Sequence, residues 1–193
     1  MLIAVVALAI AVLVPAARGK LSNLGRLRLR GVWIVCAALG VQTIALVVAK
    51  VPQGAARAVH IATYVAILAF IVANRRIPWI WVLAIGTALN FVVISANGGV
   101  MPASHHALQV AGLSNEAGFH NSSFNAHPHL GVLGDIFATP PSLPLANVFS
   151  VGDVILLVGL AMVIVAISRT PPATESTYMR PRHEEIRTST HDR

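Results

Sequence analysis

Five long apolar runs constrain this chain more than any other feature. They occupy about residues 2–17, 32–49, 56–73, 78–96 and 151–168, and their only charged members are Arg57 and Asp153, each close to the start of its run. A helix rises about 1.5 Å per residue, so about 18 such residues cross the hydrocarbon core of a bilayer. A helix facing water needs a polar side to turn outward, and these runs have none. The balance of 56% hydrophobic to 11% charged residues agrees, since a soluble domain carries about a quarter charged residues. The expectation is an all-α polytopic membrane protein with five transmembrane helices.

The basic residues orient it. Arg18, Lys20, Arg26, Arg28 and Arg30 follow the first run, Arg75 and Arg76 the third, and five more arginines lie from Arg169 to the end. Twelve of the 14 Lys and Arg therefore fall on one side, and only Lys50 and Arg57 on the other. Positive loops stay in the cytoplasm, which predicts a multi-pass protein of the cell membrane with its N-terminus outside and its C-terminus cytoplasmic. A signal peptide would carry basic residues before its apolar run, whereas here Arg18 and Lys20 come after it, so the first run reads as a retained helix. Leu24, Leu27 and Leu29 in the first basic loop read as part of a solvated connection rather than an interfacial helix. Residues 1–169 are expected to form the membrane domain, with an outer loop at 97–150, and residues 170–193 a disordered basic tail. The net charge of +7 is topogenic in this reading, and no nucleic acid is expected as a partner. Cys36 stands alone, which excludes an intrachain disulfide and a cysteine-type zinc site.

The stretch from Asn97 to Asp153 differs from the rest, with five of the eight histidines and no Lys or Arg. Asn97-Gly98-Gly99 is a helix-ending turn in which glycine takes positive φ. Residues 104–113 suit a short interfacial helix capped by Ser104, with Leu108 and Ala111 toward lipid or the bundle. The proline-rich segment 139–146 suits an extended lid. Ser150 and Asp153 have the spacing of a capping box at the start of the last run. In this topology His60, Asn90, Asn97 and Asp153 collect in the outer half of the bundle. With Asp135 from the loop they are the candidate ligand-binding residues, because polar groups near hydrocarbon are costly without a task. Interhelical hydrogen bonding is the plainer explanation for them. His120, His127 and His129 are weak candidates for a metal, since no established ligand spacing is present. No nucleophile, phosphate-loop or dinucleotide pattern occurs, no cofactor is implied, and the reading leans away from an enzyme. Ala62, Ala66, Ala69 and Ala73 form a small-residue face in the third run that would let another helix approach closely.

Residues 97–102 (NGGVMP), 133–135 (LGD) and 149–156 (FSVGDVIL), following four apolar spans, resemble a family of small bacterial, largely actinobacterial, integral membrane proteins classed as a domain of unknown function. The resemblance covers roughly residues 1–169. It attaches no role to the matching positions Asn97, Gly98, Gly99, Met101, Pro102, Gly134, Asp135, Gly152 and Asp153. The run from His120 to His129 has no counterpart in that pattern. The reading that follows is a non-enzymatic module binding a small ligand or partner through its outer loop and helix ends. The alternatives are a structural or assembly subunit, with a membrane protein partner or a second copy of the chain, and then a transporter or membrane enzyme.

Overall fold

The computed structural model describes residues 12–45, 51–113, 122–124, 127–142 and 147–170, and they are mostly helical. Helix α1 ends at residues 12–16. It is followed by α2 (Leu21–Gly25), α3 (Val32–Thr43), α4 (Gln53–Ala73) and α5 (Ile80–Ala96). Strand β1 (Met101–Ala103), α6 (His105–Ala111), β2 (Ser122–Phe124), a 3-10 turn at Gly131–Leu133, β3 (Asp135–Thr139) and β4 (Asn147–Ser150) then lead into α7 (Val151–Arg169). Helices α4 and α7 are long and apolar enough to cross a membrane, and α3 and α5 are shorter apolar helices. Most of the first run, the end of the second, residues 143–146 of the expected lid and the tail from residue 171 lie outside the described residues.

The helix boundaries follow local chemistry. Helix α7 starts at a complete capping box: Ser150 Oγ accepts from the Asp153 amide, and the Asp153 carboxylate accepts from the Ser150 amide, both at 3.0 Å. Helix α5 ends where Gly98 and Gly99 take φ of +66° and +92°, a conformation that penalises any residue with a Cβ. At Gly99 a Cβ would also stand 2.6 Å from the Arg57 side chain, so this turn is packed directly on the first turns of α4.

The described residues between α5 and α7 hold a small sheet besides one helix, and this corrects the all-α expectation. The sheet has the order β2-β1-β3-β4, with β1 parallel to both β2 and β3. Strands β3 and β4, which flank the segment read as a lid, pair antiparallel. Ser104 caps α6 as expected, its Oγ accepting from the Ala107 amide at 3.1 Å. Leu108 and Ala111, however, pack with Ala103, Ala107 and Val148 between α6 and the sheet, not toward lipid. A second cluster of Val93, Ile94 and Met101, with Ile61, Tyr64 and Leu133 against it, seats this layer on α4 and α5.

Helices α5 and α7 are packed closely enough to bring backbone against backbone. A Cβ on Gly86 would stand 2.7 Å from the Gly152 carbonyl, and one on Gly152 would overlap Asn90 Oδ1. The alanine face of α4 is not used in this way. Ala62, Ala69 and Ala73 are exposed, and the buried positions of α4 are Ala56, His60, Thr63 and Ile71.

At the end opposite the sheet, the basic segments are tied to helix ends. Lys20 and Asn23 donate to the Ser168 carbonyl, Asn23 also reaches Thr170, and Arg169 Nε donates to the Ala17 carbonyl. The first basic segment is therefore neither a free solvated loop nor a separate interfacial helix, because α2 closes the C-terminal end of α7.

Candidate functional site

Asn90 is the centre of the polar network beneath the sheet. It lies on α5, fully buried, and its Nδ2 donates to Asp153 Oδ1 at 2.7 Å. Its Oδ1 accepts from Ser150 Oγ at 2.9 Å, and Tyr64 of α4 lies beside it. Ser150 thus bridges two jobs, capping α7 and reaching α5. Gly152 makes room for this, since any side chain there would displace the Asn90 amide. Three elements distant in sequence, α4, α5 and the start of α7, meet at a single amide group.

The Asp153 carboxylate is half-buried, and both of its oxygens accept hydrogen bonds, one from Asn90 and one from the Ser150 amide. An ionised carboxylate near an apolar interior is tolerated when such donors replace water. The α7 N-terminus adds the favourable end of its dipole.

The remaining expected residues are placed around this centre. His60 is buried, and its Nδ1 lies 2.9 Å from the Gly99 carbonyl, which assigns the proton to Nδ1 because a carbonyl can only accept. Its ring lies 5.5 Å from that of Tyr64, which stands between His60 and the Asn90 centre in the order His60, Tyr64, Asn90. Asp135 is buried at the start of β3, and its backbone carbonyl accepts from the Ser104 amide. Asn97 holds the sheet layer rather than the network: its Nδ2 donates to the carbonyls of Val93 and His129, both at 2.8 Å, and its Oδ1 accepts from the His129 amide. Asn90 and Asp153 are therefore brought together, His60 stands one residue away, and Asn97 and Asp135 organise the layer above.

Tyr64 and Ser150 are members that sequence reasoning missed or assigned to capping alone. The signal for Tyr64 was its place four residues after His60, on the same face of a helix. Among the described residues no three of His, Cys, Asp or Glu gather as a metal set. His127 and His129 are exposed, and His120 lies outside the described residues.

A protein of Thermotoga maritima described as uncharacterized is 32% identical over 100 residues, which is 51% of this chain. The chain spans 57% of the length of that curated relative. A Thermotoga sequence does not bear out the leaning toward actinobacteria expected from the motifs. No solved structure matches the chain. The motifs at 97–102, 133–135 and 149–156, which here form the turn under the sheet, the start of β3 and the capped start of α7, all fall within residues 26–165, the part that matches a family of unknown function, DUF5317, and the chain belongs to that family.

Proposed function

We propose that this chain is a five-span membrane protein of the cell membrane, N-terminus outside, with residues 1–169 as its membrane domain and residues 170–193 as a cytoplasmic tail. Its sheet layer then faces outward, and it works as a non-enzymatic module that binds a small ligand or a partner protein through that layer and the helix ends beneath it. The orientation is supported by the gathering of residues 17–30, 74–76 and 168–170 at one end and the sheet at the other. The observation that carries the binding reading is the Asn90–Asp153–Ser150 network, a polar group set with a half-buried carboxylate directly under the sheet. Polar clusters at membrane depth are retained where they serve a task.

A second reading has its own support. Because both Asp153 oxygens already have donors within the chain, the network also suits a latch that fixes α7 against α5, as in a structural or assembly subunit. Asp153→Asn separates the two. A latch keeps most of its strength, losing about 1 kcal/mol of capping, and growth of the native host on the variant stays normal. A ligand-bearing carboxylate loses the host phenotype while the purified variant melts close to wild type. A stable variant with full activity removes the binding reading.

A further inference from the structure

At the end of the molecule opposite the sheet, Arg28, Arg30, Arg75 and Arg76 line one recess of about 410 Å³. Apolar Val72 and Ile77 also line it. Arg28 and Arg30 belong to the connection between α2 and α3, and both line the recess. Arg75 and Arg76 follow α4 directly. The two basic segments are joined by buried Asn74, whose Oδ1 accepts from the Arg30 amide at 2.9 Å and whose Nδ2 donates to the Arg30 carbonyl at 2.9 Å and the Phe70 carbonyl at 2.8 Å.

Four guanidinium groups around one recess repel each other, and no acidic residue lines it. The described acids, Asp135 and Asp153, both lie at the sheet end. Topogenic charge requires only that arginines lie on one side of the membrane. It does not require that two segments 44 residues apart be joined through a buried amide so that their arginines line one cavity. The planar fork of arginine matches the paired oxygens of a phosphate, and basic pockets between helices at the cytoplasmic face suit anionic headgroups. Exposed Val72 beside the recess and the exposed Trp79–Trp81 pair just after it supply an apolar, interfacial flank for acyl chains.

We infer that this recess binds a phosphate group presented by an anionic membrane lipid. The inference does not rest on the reading of the sheet end. Full-length protein in mild detergent is titrated with phosphatidylglycerol, phosphatidylcholine or inorganic phosphate, followed by thermal unfolding and by native mass spectrometry of retained lipid. Phosphatidylglycerol should stabilise and remain bound, whereas phosphatidylcholine, with the same phosphodiester but a cationic head, should not. Replacing Arg28 and Arg75 together by Gln should weaken phosphatidylglycerol binding by about tenfold or more, while replacing Arg18 and Lys20 by Gln, the same loss of charge at the same end, should leave it within about twofold. Equal binding of the two lipids by the wild-type protein overturns the inference without any variant, and so does equal weakening in both pairs of substitutions. Stabilisation by inorganic phosphate equal to that by phosphatidylglycerol assigns the recess to a soluble anion and overturns the lipid source.

Discussion

Asn97 and His129 exchange two hydrogen bonds, the Asn97 amide donating to the His129 carbonyl at 2.8 Å and the His129 backbone amide donating to Asn97 Oδ1 at 3.0 Å. Asn74 makes the same two-point bond to Arg30 at the opposite end of the molecule. Both asparagines stand at the C-terminal cap of a helix, α4 or α5, and both donate back to the carbonyl four residues earlier. Each closes a helix end, whose last carbonyls lack partners, and fastens a distant segment with the same amide.

Removing one of these clamps therefore frees a particular segment. Asn74→Ala should cost about 1–3 kcal/mol, because it leaves part-buried backbone groups of Arg30 and the end of α4 without their partner. Trypsin should then cut faster after Arg28 and Arg30. Asn97→Ala, acting at the other end, should leave that cleavage unchanged. Equal rates for Asn74→Ala and the wild type would show that the clamp does not hold the basic segment.

The α5–α7 interface makes a sharper prediction about single methyl groups. Gly152→Ala forces a Cβ into the Asn90 amide and should destabilise by about 1–3 kcal/mol through overpacking. Gly40→Ala on α3 meets nothing within 4 Å and should stabilise by about 0.4–1 kcal/mol, since alanine restricts the unfolded chain. Thermal unfolding of both variants in the same detergent tests the pair. A Gly152→Ala variant as stable as the wild type would mean that the two helices are not so closely packed.

Topology is tested by labelling. In a Cys36→Ala background, a membrane-impermeant thiol reagent added to intact cells should modify a cysteine at Val132, exposed in the sheet layer, and spare one at Ser22. The reverse pattern would place the sheet in the cytoplasm and remove the proposed outer module.

The helices were legible because continuous apolar length without a polar side dictates them. The runs from Val32 and Val151 begin where their helices begin, the run from Pro78 starts just before its helix at Ile80, and the Ser150–Asp153 spacing gave the capping box directly. The sheet layer was not legible. Its strands are three to five residues long, too short for alternation to register, and β1 contains a proline. The network was half legible: Asn90 and Asp153 were placed at one level by topology, but their contact depends on Gly152, whose lack of a side chain carries meaning only once α5 is beside it. The alanine face of α4 stays exposed at Ala62, Ala69 and Ala73 within this chain, because small residues permit close packing without requiring it.

The last prediction concerns how strongly Asn90 and Asp153 depend on each other. If their hydrogen bond of 2.7 Å acts as a latch between α5 and α7, Asn90→Ala and Asp153→Ala should each destabilise, and the double variant should cost less than their sum by about 0.5–3 kcal/mol, the range for residues sharing a network. Asn90→Ala removes the donor to Asp153 and the acceptor of Ser150 Oγ together, so it should be the more damaging single change. Tyr64→Phe removes one hydroxyl beside the same centre and neither of these two hydrogen bonds, so it should cost less than Asn90→Ala. Reversible unfolding in detergent and denaturant measures all of these energies. Strict additivity of Asn90→Ala and Asp153→Ala would mean that the two side chains do not share a network, leaving Asp153 as the acid of the α7 cap alone and withdrawing the support that the binding reading takes from the cluster.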